Sequence, residues 1–238
     1  MKALTAGVDE AGRGPVLGPL VVACAITDDP AGLAAAGVRD SKTLTPAQRE
    51  RLEAGLKVSL TAFALVVIEP NEIDLGRRKR SLNAIEGEAF SRAVASAAAS
   101  RGLRALSALQ ADAADASESA FRAMLLRGLA REAPSLSVAR FAVEHKADLR
   151  YPAVSAASIL AKVERDRRIR ELSERVGEPI GSGYPSDPAT VAFLRGYIRA
   201  NQDLPPFARR SWQPAKDLLR EAGVGGTPLE RFDGGRGR

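Results

Sequence analysis

Two apolar segments near the amino terminus, residues 4–8 and 16–26, are dominated by Val, Leu and Ile and punctuated by Gly and Pro. That is the pattern of two strands, and the short link between them makes the pair antiparallel. A third run, TAFALVVI at residues 61–68, extends the same meander. Ahead of it, Thr45 and Pro46 supply an N-cap and a first helical position, with Leu52 and Leu56 four apart behind them. The Ala-rich residues 82–99 place Ile85, Ala89, Val94 and Ala97 broadly on one side and predict a second helix. Beyond this point the pattern alternates: a strand over 105–111, a helix over 117–131, a strand over 138–143 and a long helix over 153–176. Alternation of that kind implies parallel pairing. The expected fold is therefore α/β, a mixed sheet of about five strands flanked by helices.

The first half of the long helix, AVSAASILA, is made of small residues, which let a helix backbone lie close on whatever it covers. From Gly177 onward strand signals cease while Pro, Gly and Arg rise. The expected organisation is a main domain over residues 1–176, a small helical region over 177–222 packed on it, and a flexible tail over 223–238.

Composition narrows the class. The 238 residues are 45% hydrophobic and 27% charged, ordinary for a globular protein with a sizeable core. A net charge of +6 favours an acidic partner such as nucleic acid without establishing one. The single cysteine, Cys24, excludes an intramolecular disulfide and reads as a small buried hydrophobe in a reducing compartment. Asp9 and Glu10 fall where a secretory signal needs its apolar stretch, and residues 16–26 fall short of the roughly 20 that cross a bilayer. The expected location is cytoplasmic.

The acids carry the candidate chemistry. Asp9 and Glu10 end the first predicted strand, Asp112 ends the strand ALSALQAD, and Asp148 follows ARFAVEH by a few residues. Carboxyl ends of parallel strands gather on one sheet edge, where open α/β sheets bind ligands. Carboxylates crowded there repel one another unless cations neutralise them. Oxygen donors with a lone histidine, His145, point to Mg²⁺ or Mn²⁺ and away from zinc. Acids at strand ends also serve as caps and turn residues, and Asp115 reads as such a cap. Basic clusters lie at residues 77–80, at 162–170 and at Arg209–Arg210 beside Trp212. The second reads equally as a solvated helix face or a phosphate contact, whereas Arg209 and Arg210 are expected to track a duplex.

The segment GVDEAGRGPVLGPLVVACAI resembles the opening of ribonuclease HII, the type 2 ribonucleases H. The likeness continues in the family's order through DSKTLTPAQRERL, SLNAIEGEAF, ADAAD, EHKADLRYPAVSAASILAKVERDR and GSGYPSDPAT, with forms closer to the archaeal and eukaryotic branch. It implies a ribonuclease H-like fold and an endoribonuclease that hydrolyses the RNA strand of RNA–DNA hybrids. It also implies nicking at single ribonucleotides in duplex DNA, with 5′-phosphate and 3′-hydroxyl products. Carried over by position, the family's metal-binding acids fall on Asp9, Glu10, Asp112 and Asp148, which would hold two divalent ions. Gly12, Arg13 and Gly14 match the motif that reads the ribonucleotide's 2′-hydroxyl. Tyr184 matches the tyrosine that packs on the junction sugar, and Lys42 a lysine near the scissile phosphate. Gln110 and Ala111 depart from the larger apolar residues usual before the third acid. The tail places Leu229 and Phe232 three apart, resembling the sliding-clamp peptides of some archaeal-type members, although Gly226 and Asp233 replace two of that peptide's anchors. Monomeric action is expected, with no membrane partner. Two rivals fit fewer residues. The acidic Gly-bearing loop of actin-like sugar kinases and ATPases needs a second lobe that this chain lacks, and a pure nucleic-acid-binding module has no use for four acids.

Overall fold

The computed structural model describes residues 3–38 and 44–224. Strands β1 (Thr5–Ala11), β2 (Leu20–Thr27) and β3 (Ala62–Ile68) form the expected antiparallel meander. Helices α1 (Pro30–Ala35) and α2 (Pro46–Ser59) join β2 to β3, and α3 (Pro70–Arg77) and α4 (Leu82–Ala99) follow. Then come the short β4 (Ala105–Leu106), β5 (Ala108–Asp112), α5 (Glu118–Glu132), the short β6 (Ser137–Val138) and β7 (Phe141–Glu144). The chain closes with α6 (Pro152–Val176), α7 (Pro188–Asn201) and α8 (Gln213–Glu221). The main sheet has the order β3-β2-β1-β5-β7, with β5 and β7 parallel to β1.

Helix α2 begins as its sequence dictates. Thr45 accepts from the Gln48 amide at 3.3 Å and the Gln48 side chain accepts from the Thr45 amide at 2.8 Å, a reciprocal cap with Pro46 behind it. Strand β2 is buried along its whole length and splits its side chains between two cores. Leu20, Val22, Cys24 and Ile26 pack with α4 and α5, while Val21, Ala23 and Ala25 pack with α1, α2 and α6. A third cluster ties Val16, Leu17, Ile169 and Leu172 to α7 and α8, so the carboxyl-terminal helices seat on the loop between β1 and β2. The small-residue start of α6 presses onto β1 at Gly7, where a Cβ would lie 2.0 Å from the Ala153 carbonyl carbon. Only glycine tolerates that approach.

Several boundaries differ from expectation. Strand β1 continues to Ala11, so Asp9 and Glu10 lie within it, and β2 begins only at Leu20. The runs expected as single strands at 105–111 and 138–143 each divide. Their first residues pair as β4 with β6, and their remainders cross into the main sheet. The Ser107 amide donates to the Leu4 carbonyl at 2.8 Å, marking the change of partner. Helices α1 and α3, unforeseen, are short and Pro-started. Among the described residues no helix is long and apolar enough to cross a membrane.

Candidate active site

Side chains alternate along a strand, so adjacent acids in β1 leave it on opposite faces. Asp9 shares the face of Gly7 and turns toward α6, whereas Glu10 does not. Val8 pairs with Ala111 in the parallel register, which makes Asp9 and Asp112 the next residues along neighbouring strands. Asp148 reaches the same point from the 3₁₀ turn Ala147–Leu149 between β7 and α6. One oxygen from each of Asp9, Asp112 and Asp148 lies within 4.8 Å of the others. The turn is fixed on both sides. The Lys146 amide, at φ +58°, donates to Asp112 Oδ1 at 2.9 Å, and the Ser155 hydroxyl on α6 donates to the Asp148 carbonyl. Ala111 is fully buried in the core, so the departure in sequence before Asp112 leaves its strand packed.

The electrostatics suit a cation. Burial, together with the Asp112 charge, pushes the Asp9 carboxyl up to about 7, against opposing pulls from the Ser158 hydroxyl and Lys162. Burial and repulsion from Asp9 and Asp112 push Glu10 up to about 8. Glu10 Oε2 is buried without a hydrogen-bond partner among the described residues. Clustered hard oxygens that resist ionising in one another's company are what a divalent ion relieves, and this donor set fits Mg²⁺ or Mn²⁺. Carboxyls raised above their unfolded values stabilise the metal-free fold least at high pH, since stability falls as pH rises from about 4 through 7–8. Divalent metal should therefore raise the melting temperature more at pH 8.5 than at pH 5.5. Asp9→Asn should flatten that difference and stabilise the metal-free protein at pH 8.5 by about 2 kcal/mol, or ~6 °C. Thermal melts with and without metal check this, and identical metal shifts at both pH values would refute it.

Beside the acids lies a cleft of about 470 Å³ lined by residues 10–14, by Arg49, Lys162, Arg165 and Asp166, and by Tyr184. Gly12 sits at φ +92°, and a Cβ there would meet the Pro19 carbonyl oxygen at 2.6 Å. The Arg13 guanidinium is drawn back to α4, where it pairs with the buried Glu86 and donates to Asn83 Oδ1 at 2.7 Å. Tyr184 is presented by a braced loop. The Val16 and Leu17 amides donate to the Gly183 carbonyl at 2.8 and 3.1 Å. Asp187, held down to about 2 by backbone amides and the Ser182 hydroxyl, caps α7. The Tyr184 ring stacks 4.9 Å from the Arg165 guanidinium, and its edge would lie 3.7 Å from a Cβ on Gly14. Of the four acids Glu10 lines the cleft with Gly12, Arg13, Gly14 and Tyr184, and its neighbour Asp9 belongs to the cluster with Asp112 and Asp148. Lys42 lies outside the described residues, as do Leu229 and Phe232.

Other expectations change. Arg209 is fully buried, donating to backbone carbonyls, and cannot track a duplex. Arg210 pairs with Asp203 at 2.6 Å. Asp115 is not the cap of α5; Ser117 is, while Asp115 accepts from Asn83 and from the Ser117 amide. The cluster at 162–170 divides: Lys162 and Arg165 line the cleft, while Arg167, Arg168 and Arg170 pair with Glu53, Glu164, Glu69 and Glu50. Asn83 and Glu86 escaped the sequence reading, and Arg165 entered it only as part of the 162–170 cluster. The i,i+3 spacings of Asn83 with Glu86 and of Lys162 with Arg165, each placing two polar groups on one helix face, were the available signal. Cys24 is buried, which pushes its thiol up and leaves it inert.

A mixed sheet that brings three carboxylates together at one end of its parallel strands is the architecture of the ribonuclease H-like class. The ribonuclease HII family model matches residues 6–215. The ribonuclease HII of Pyrococcus horikoshii is 41% identical over 229 residues, covering 95% of this chain and 98% of that one. A crystal structure of the ribonuclease H2 of P. horikoshii OT3 aligns at TM-score 0.80 and 41% identity, covering 93% of this chain and 100% of that one. A chain from the PCNA:RNase HII complex of Archaeoglobus fulgidus aligns at TM-score 0.76 and 32% identity, over 96% and 100%. The chain belongs to the ribonuclease HII family, and it is a divalent-metal-dependent ribonuclease H acting on the RNA strand of RNA–DNA hybrids.

Proposed function

We propose that the enzyme also nicks duplex DNA at single embedded ribonucleotides, leaving 5′-phosphate and 3′-hydroxyl ends. The observation that carries this reading is the adjacency of the acidic cluster of Asp9, Asp112 and Asp148 to a cleft walled by Gly12–Gly14 and Tyr184, with Glu10, the neighbour of Asp9 in β1, lining that cleft. Asp9, Glu10, Asp112 and Asp148 would hold two divalent ions, Mg²⁺ or Mn²⁺. Such ions supply an activated water and charge neutralisation at the attacking and leaving oxygens of an in-line displacement. The chain's own residues do the rest. Lys162 and Arg165 bring positive charge to the cleft, where Arg49 is paired with Asp166 at 3.3 Å, and that charge draws in a phosphodiester backbone. With the Arg13 side chain engaged by Glu86 and Asn83, the loop offers its backbone to the sugar, where a 2′-hydroxyl separates ribonucleotide from deoxyribonucleotide. Tyr184 offers an aromatic face to the same sugar, and Lys42 is assigned to the scissile phosphate.

The test is magnesium-dependent nicking of a duplex carrying one ribonucleotide, with end-group analysis of the products. Turnover on hybrids with none on that duplex would remove the single-ribonucleotide activity. The structural relative in a PCNA complex motivates a sliding-clamp contact here too, running through Leu229 and Phe232. Clamp retention by a chain ended at Gly223 would exclude that route.

A further inference from the structure

Arg209 heads the large side chains that are wholly buried. Its guanidinium spends its hydrogen bonds on backbone. Nε donates to the Gly18 carbonyl at 3.0 Å, and the terminal nitrogens donate to the carbonyls of Arg13 at 3.0 Å and Gly12 at 2.6 Å. Its plane lies 4.9 Å from the Trp212 ring, and burial with the nearby Arg165 lowers its pKa to about 9. A buried cation is costly to the fold, and what it orients explains its presence better than stability does.

We propose that Arg209 is a positioning residue for substrate recognition: by drawing the carbonyls of Gly12 and Arg13 into the protein it turns the amides of Arg13 and Gly14 toward the cleft. The described residues contain no cis peptide bond, and in a trans peptide the N–H points opposite to the C=O. The Arg13 amide shares its peptide with the Gly12 carbonyl, and the Gly14 amide shares its own with the Arg13 carbonyl. Both carbonyls are held from behind by one rigid fork. Among the described residues neither amide donates to a protein acceptor, while Gly12, Arg13 and Gly14 all line the cleft and Arg209 does not. Two successive amides on one side make a concavity for an electron-rich oxygen, here the ribose 2′-hydroxyl. The anchor is reinforced along the chain: the Arg209 amide donates to the Val16 carbonyl at 2.8 Å and the Gly18 amide to the Phe207 carbonyl at 2.9 Å. Lysine cannot replace it, because an ammonium lacks the planar fork that spans three carbonyls.

This inference rests on Gly12–Gly14 being the ribonucleotide-reading loop, and the experiment separates the two. Full-length wild-type, Arg209→Lys and Arg209→Gln proteins are assayed on a duplex with one ribonucleotide, and the Arg13 and Gly14 amide resonances are followed as that duplex or its all-deoxy counterpart is added in Ca²⁺. The expected result is a KM for the ribonucleotide duplex raised about tenfold or more in both variants, with kcat changed less than about threefold. Wild-type amides should shift with the ribonucleotide duplex alone, and that response should vanish in Arg209→Lys, while Mn²⁺ titration of the acids stays as in wild type. Wild-type KM and amide shifts in a folded Arg209→Lys would overturn the proposal and leave the loop reading standing. Amides that ignore the ribonucleotide in the wild-type protein, an outcome that needs no variant to fold, would overturn both.

Discussion

Asp112→Asn should abolish hydrolysis, lowering kcat by about 10³-fold or more, because losing a carboxylate proposed to hold divalent metal would forfeit several kcal/mol of charge stabilisation at roughly 1.4 kcal/mol per tenfold. The fold should survive. Asparagine keeps the shape and retains an oxygen for the Lys146 amide, which binds Asp112 Oδ1 at 2.9 Å. It also removes a negative charge that raises both Asp9 and Glu10, so the metal-free protein should melt no lower than wild type. Hybrid binding in Ca²⁺ should remain, since the cleft residues are untouched. Single-turnover cleavage of a hybrid at saturating Mg²⁺ measures the effect. Near-normal turnover would place the metal elsewhere.

Tyr184→Ala should weaken cleavage at a single embedded ribonucleotide by about 10- to 100-fold, the scale of losing one aromatic stacking contact to nucleic acid. On a long hybrid the loss should be several-fold smaller, because neighbouring 2′-hydroxyls offer alternative registers. The loop itself should not collapse. Its supports are the Gly183 carbonyl, which takes the Val16 and Leu17 amides, and the Thr190 hydroxyl, which takes the Gly183 amide at 2.9 Å. At 39% exposed, the ring contributes little to the core. Competition between the two substrates in one reaction reads the ratio directly. An equal loss on both would make Tyr184 a general binding residue with no role in junction recognition.

The sheet was legible because its signals are local. Val and Ile runs bounded by Gly and Pro, and helices opened by Thr45–Pro46 or by Ser81 and Ser117, express themselves over a few residues. What failed were the places where one apolar run serves two partners. Residues 105–112 read as a single strand, yet β4 and β5 belong to different sheets, since at Ser107 the backbone takes Leu4 as its partner. Helices α1 and α3, at 6 and 8 residues, are too short to show a period.

The candidate site divides in the same way. Pattern and motif together single out Asp9, Glu10, Asp112 and Asp148, whereas the approach of Asp9, Asp112 and Asp148 to within 4.8 Å, with Asp148 arriving from the turn after β7, is a product of the tertiary structure. Basic residues gave no such purchase. Arg209 and Arg210 are neighbours of one type, yet one is sealed against backbone carbonyls and the other pairs with Asp203 in solvent. A carboxylate's role followed from its place along its own strand. An arginine's role depends on whether water reaches it, and that is settled by which distant segments close over it: here a loop 197 residues earlier in the chain, whose carbonyls take the hydrogen bonds that solvent would otherwise have made.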